Sequence, residues 1–157
     1  MHIKRGFTLV ELIVSVSIFA LLATIGSLRF FSSYSQVNLS SALDILVSDI
    51  KTAQSNAMSG YGVGGSRVTG WGFKKTAANS YVIYPGVAYV AGSPYNITSS
   101  LPLGITLTTA FPFDEVIFSQ ISGEIPSLLG GQNTLTLTSD LESRTITLNK
   151  YGSIIGD

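Results

Sequence analysis

Few side chains in this 157-residue chain could do chemistry. The single histidine is His2 and there is no cysteine, which excludes thiol catalysis, cysteine-ligated zinc, a disulfide framework and an ordinary Ser-His-Asp triad. Two carboxylate pairs, Asp114 with Glu115 and Asp140 with Glu142, have the residue types for acid catalysis or calcium binding. Neither lies in an EF-hand loop, and carboxylates at turns and strand edges are ordinarily solvated, so no metal is expected. Gly60, Gly62 and Gly65 satisfy the spacing of a dinucleotide fingerprint, but they follow a helical pattern and no βαβ unit comes after them. They read as a helix exit, and no cofactor is expected. Arg67, Lys74 and Lys75 form a weak basic patch of the kind that could meet phosphates. Against it, the side chains from Phe7 onward carry seven basic and nine acidic groups, the wrong balance for nucleic acid. Glu11 remains. It is the one charge in residues 7–28, FTLVELIVSVSIFALLATIGSL, and a carboxylate in such surroundings is expensive enough to be a functional candidate in search of a partner.

The element that must position Glu11 is a long apolar helix. Its 22 residues would cover about 33 Å, enough for a hydrocarbon core of about 30 Å. Lys4 and Arg5 precede it and Arg29 follows, a small bias that places the N-terminus in the cytoplasm. A plain membrane anchor and a secretory signal peptide cut near Ala20 or Ala23 both fit the run, although Glu11 suits neither. Only 11% of all residues are charged and 45% are hydrophobic, with zero net charge, which excludes a disordered polyelectrolyte.

Beyond Arg29 the pattern turns amphipathic. Leu39, Leu43, Leu46, Ile50, Ala53 and Ala57 recur at helical intervals, the stripe of a helix lying on a sheet. The run SGYGVGGS from Ser59 supplies a stop near Gly60. After it, residues 67–73, 80–84, 86–91, 105–109, 115–119, 133–139 and 144–150 read as short strands, most alternating apolar residues with Thr, Ser or Gly. The last two are expected to form a hairpin around residues 140–143. Trp71, Tyr81, Tyr84 and Tyr89 read as sheet packing. A long helix on an antiparallel sheet is the α+β class.

The residues KRGFTLVEL, from Lys4 to Leu12, resemble the processing site of type IV prepilins and of type II secretion pseudopilins. The resemblance implies cleavage between Gly6 and Phe7 by a prepilin peptidase, N-methylation of Phe7, and a role for Glu11 in filament assembly. The helix i,i+4 spacing puts Glu11 on the face of Phe7, so its carboxylate can meet the bared amine of its own or a neighbouring subunit. The apolar segment lacks the Pro usual in major pilins, which points to a pseudopilin or minor pilin. LVSDIKTAQSNAMSG, from Leu46 to Gly60, and the closing TLTLTSDLESRTITLNKYGSII, with Asn149 and Gly152, are similar to the GspH pseudopilins and their FimT-like pilin relatives.

The resemblance therefore implies a pilin-like fold. Residues 1–6 would be the leader, 7–28 a transmembrane and filament-core helix, 29–59 its amphipathic continuation and 60–157 a periplasmic β domain. The expected protein is not an enzyme but a GspH-like minor pseudopilin of a type II secretion pseudopilus. The alternative is a FimT-like minor type IV pilin involved in pilus assembly or DNA uptake. Expected partners are other pilins or pseudopilins, the prepilin peptidase and the membrane. The expected location is the bacterial inner membrane, N-terminus inside and C-terminal domain periplasmic, before assembly.

Overall fold

The computed structural model describes residues 8–128 and 130–156, with side chains described outside residues 25–36. Helix α1, Leu9–Ser59, is one continuous element of 51 residues, about 76 Å long. Its buried stripe is Leu39, Ala42, Leu46, Ile50, Ala53 and Ala57. Ala42 takes the place expected of Leu43, which is half-buried and packs against the edge of the core. Gly60 ends the helix in the left-handed conformation (φ +62°), where Gly pays no Cβ penalty. Its N–H donates to Ala57 O (3.1 Å) and that of Tyr61 to Asn56 O (2.9 Å), satisfying two carbonyls that the helix leaves open.

Eight strands follow: β1 Gly70–Ala77, β2 Ser80–Pro85, β3 Ile97–Ser100, β4 Thr106–Thr109, β5 Glu115–Ser119, β6 Thr134–Thr138, β7 Ser143–Leu148 and β8 Ile154–Ile155. They form two antiparallel sheets, ordered β3-β2-β1-β5 and β4-β6-β7-β8. The tip of the β1–β2 hairpin joins the sheets, since Ala78 O accepts from Leu107 N–H (2.7 Å) and Asn79 O from Leu101 N–H (2.8 Å). Trp71 and Phe73 of β1, Phe118 of β5, Leu135 and Leu137 of β6 and Ile146 of β7 share one core with the helix stripe. The architecture is α+β: the helix packs on an antiparallel sheet domain.

Three expectations need correction. Residues 86–91 are not a strand. Gly86, at φ +102°, breaks the extended chain, and the segment folds so that Tyr89 packs edge-on against Tyr84, centroids 5.5 Å apart. The β6–β7 loop comprises residues 139–142, one position earlier than expected, because Ser139 N–H and Oγ both bond Glu142 O (2.8 and 3.1 Å), releasing Ser143 to pair with Thr138. The first strand starts at Gly70 and runs through Lys75, so the lysines lie within the sheet. Gly72 of this strand stands opposite Tyr84, whose ring lies across it, and no Cβ would fit there.

Candidate functional site

Gly6 and Phe7, the expected cleavage and methylation positions, lie outside the described residues. Glu11 lies within them, in the first turn of α1. Its Oε2 accepts from Thr8 N–H (3.1 Å) and Thr8 Oγ1–H (3.0 Å), while Thr8 Oγ1 accepts from Glu11 N–H (3.2 Å). This is a capping box, in which side chains satisfy backbone donors that the helix start leaves open. Residues 8–24 are all exposed, including ten large apolar side chains from Leu9 to Leu22. Exposed apolar surface on this scale marks a lipid or protein contact.

The polar side chains on this surface are turned inward to the helix. Ser15 Oγ donates to Glu11 O (2.7 Å), Ser17 Oγ to Ile13 O (2.8 Å) and Thr24 Oγ1 to Ala20 O (2.8 Å). With Thr8 and Glu11 bonded to each other, every polar side chain in residues 8–24 has a partner inside the helix. That arrangement suits surroundings without water. Thr8 was not singled out by sequence reasoning, although Thr followed by Glu three positions later carries the capping-box spacing. Among the described residues no helix is long and apolar enough to cross a membrane by itself.

The basic patch and one carboxylate pair prove to be each other's partners. Lys74 Nζ is 3.7 Å from Glu115 Oε2, and Lys75 Nζ is 3.7 Å from Asp114 Oδ2. Lys74 also donates to Phe113 O (3.1 Å), and Thr109 Oγ1 donates to Asp114 Oδ1 (2.6 Å). Tyr84 Oη donates to Glu115 Oε1, and its burial, with Glu115 beside it, pushes the phenol well above its ordinary range. Arg67 stands apart in the loop before β1 and is exposed. The second carboxylate pair is split likewise: Glu142 binds Arg144 (2.8 Å) and Asp140 is solvated at the hairpin tip. Among the described residues no three acidic or histidine side chains come together as a metal site.

Two further clusters lie between helix and sheets; sequence reasoning named Tyr81, Asn149 and Gly152 but not the contacts they make. Asp49 Oδ2 accepts from Tyr81 Oη (2.7 Å) and Ser99 Oγ (2.9 Å), tying α1 to β2 and β3. Burial, followed by the Asp49 bond and charge, raises the Tyr81 phenol. Gln54 Nε2 donates to Gly123 O (3.1 Å) and Tyr151 O (2.9 Å), latching α1 to the chain end. Asn149 Oδ1 accepts from Tyr151 N–H (3.0 Å) and Ser153 N–H (2.9 Å), shaping the turn in which Gly152 lies against Gln54. Asn149 and Gly152, given by the resemblance as signature positions, are thus parts of one latch.

Comparison with known proteins fits both halves of this description. Residues 1–27 match the family model of the prokaryotic N-terminal methylation motif. The fold is similar to that of FimU, a type IV minor pilin of Pseudomonas aeruginosa (strain PAO1), in two crystal forms. One has 15% identity and a TM-score of 0.58, covering 79% of this chain and 92% of that one. The other has 13% identity and a TM-score of 0.57, covering 75% and 91%. No curated protein matches the chain. A prepilin-type N-terminus on a pilin fold makes the chain type IV pilin-like.

Proposed function

We propose that the protein is a structural subunit of a type IV pilin-class filament and not an enzyme. It enters the bacterial inner membrane with its leader in the cytoplasm, a prepilin peptidase cuts between Gly6 and Phe7, and Phe7 is N-methylated. The mature chain then leaves the bilayer and packs its N-terminal helix against those of neighbouring subunits. The observation that carries this reading is the methylation motif over residues 1–27, set on a helix whose first turns are apolar, exposed and satisfied in every polar group. In that setting the Phe7 amine is the cation Glu11 lacks, and pairing them across two subunits lowers the cost of burying both.

The likeness to a minor pilin supports a minor place in a type IV pilus. A type II secretion pseudopilus is the second reading, since the resemblance of residues 46–60 is to GspH pseudopilins and FimT-like pilins alike. DNA capture draws little support, because Lys74 and Lys75 are already paired with Glu115 and Asp114. The test is Glu11→Ala. Removing one partner of a buried ion pair costs roughly 3–5 kcal/mol, so the variant should be inserted and processed normally while filaments fall by more than about tenfold. Wild-type filament numbers would sink the reading.

A further inference from the structure

Residues 76–113 form an unbroken run without a charged side chain. Part of this run belongs to the first sheet, where Trp71, Phe73, Tyr81 and Ile83 join the core under α1. Alternation therefore turns Lys74, Val82 and Tyr84 to the face opposite the helix. Tyr84 is buried there, outside the helix-facing core, because the loop of residues 86–96 lays Tyr89 on it. The loop is pinned, with Gly86 N–H donating to Gly70 O (2.8 Å) and Asn96 Nδ2 to Val90 O (2.9 Å). It holds Val87, Val90 and Tyr95 out to water. Tyr95 lies against Gly64, leaving no room for a Cβ, and so meets the helix-exit loop. In that loop exposed Tyr61 rests on buried Trp71, centroids 6.0 Å apart.

A third ring completes this surface. Phe113 is 87% exposed, and it and Asp114 both have left-handed backbone, φ +57° and +56°. Such strain persists only where the surroundings over-determine it. Here Lys74 Nζ holds Phe113 O (3.1 Å) and Thr109 Oγ1 holds Asp114 Oδ1 (2.6 Å). Asparagine or glycine would suit the turn better, so the fold alone does not account for a phenyl ring held in water. Lys74 Nζ also stands 5.8 Å from the centroid of Tyr89, which puts Phe113 and the loop on one surface. Strand β3 adds polar groups. Leu101 N–H bonds Asn79 O, so Ser99 and Ile97 continue that pairing and the backbone groups of Thr98 and Ser100 point away from β2. Among the described residues no strand pairs with this edge.

We propose that this face binds an uncharged, extended polysaccharide. Phe113, Tyr95 and Tyr61 stack on the apolar faces of sugar rings, and the β3 edge bonds sugar hydroxyls through the free amides and hydroxyls of Thr98 and Ser100. Exposed aromatic rings supply contact area at low entropic cost, and unpaired amides reward a ligand rich in hydroxyls. Charge selects the ligand. Lys74 and Lys75 are neutralised by Glu115 and Asp114, which leaves Arg67 at the Tyr61 margin as a single free cation. Nucleic acid, acidic glycans and anionic bilayers all require clustered free Lys or Arg. Protein interfaces are enriched in Arg, which this face lacks beyond Arg67. The face lies away from α1, so it stays outward when the helices of a filament pack, and binding does not require the filament.

The test is retention of the detergent-solubilised full chain on microcrystalline cellulose and on chitin. At least one polymer should hold the protein, release it to the matching soluble oligosaccharide, and keep it when salt is raised. Phe113→Asn should relieve the turn and raise the thermal midpoint while cutting retention roughly tenfold, so the loss cannot come from unfolding. Retention on neither polymer, release by salt, or equal retention on albumin-coated beads, the mark of a protein-binding surface, would overturn the assignment. A Phe113→Asn variant that binds as well as the wild type would do the same. A chain cut after Gly6 that binds neither polymer would overturn this assignment alone, and one that binds with its leader uncut would overturn the filament reading alone.

Discussion

Replacing Gly152 with Ala should unlatch the chain end from α1. At φ +73° a Cβ is strained, at roughly 1–2 kcal/mol. It would also overlap Gln54 Nε2 and lie 2.8 Å from Gly123 O, so Gln54 must swing away. That forfeits its bonds to Gly123 O and Tyr151 O, at about 1 kcal/mol each. Gly152→Ala should therefore cost about 3–4 kcal/mol, and Gln54→Ala about 2 kcal/mol through the same two bonds. Because the bonds can be lost only once, the double variant should cost no more than Gly152→Ala, leaving a coupling of about 2 kcal/mol. Urea unfolding of the detergent-solubilised full chain, followed by the buried single Trp71, measures all three variants. Costs that add to within about 0.5 kcal/mol would show that the two residues act independently and refute the latch.

Two other outcomes follow from the paired groups. Tyr81 and Tyr84 keep their protons in the fold above the ordinary tyrosine range, so stability is full below about pH 10 and falls above it, as the unfolded chain releases protons the fold retains. The slope should be about 1.4 kcal/mol per pH unit for each, with two of the seven tyrosines silent in a tyrosinate absorbance titration until unfolding; their ionisation in the folded protein would contradict this. In a gel-shift titration at two salt concentrations, the protein should bind DNA weakly, since Lys74 and Lys75 are already ion-paired, and tight salt-sensitive binding would restore DNA capture.

Where the residues carry strong periodicity or punctuation, sequence and structure agree. The stripe from Leu39 to Ala57 is buried as a stripe, Gly60 is the left-handed cap, and the alternation of TLTLT and SRTITL appears as β6 and β7. What escaped had no such signal. β3 is a largely exposed edge strand, so ITSS lacks an apolar alternation, and β8 is two residues long. Residues 86–91 carry the strand pattern without the strand, because Tyr89 is recruited by Tyr84 instead of by a neighbouring strand. Ionic pairing was equally hidden. Asp114 and Glu115 looked like a possible site and Lys74 and Lys75 like another, and only antiparallel pairing of β1 with β5 makes them neutralise each other. At the helix start, the spacing of Thr8 and Glu11 was visible, while the inward-turned hydroxyls of Ser15, Ser17 and Thr24 show in the structure alone.

The central claim is that Glu11 awaits a positive chain end created by cleavage. Mass spectrometry of the protein isolated from its native membrane or filament reads this directly. The expected mass lacks the first six residues and carries a methyl group on the Phe7 amine. An intact Met1 terminus, or trimming near Ala20 or Ala23, would leave Glu11 without that cation and contradict the account.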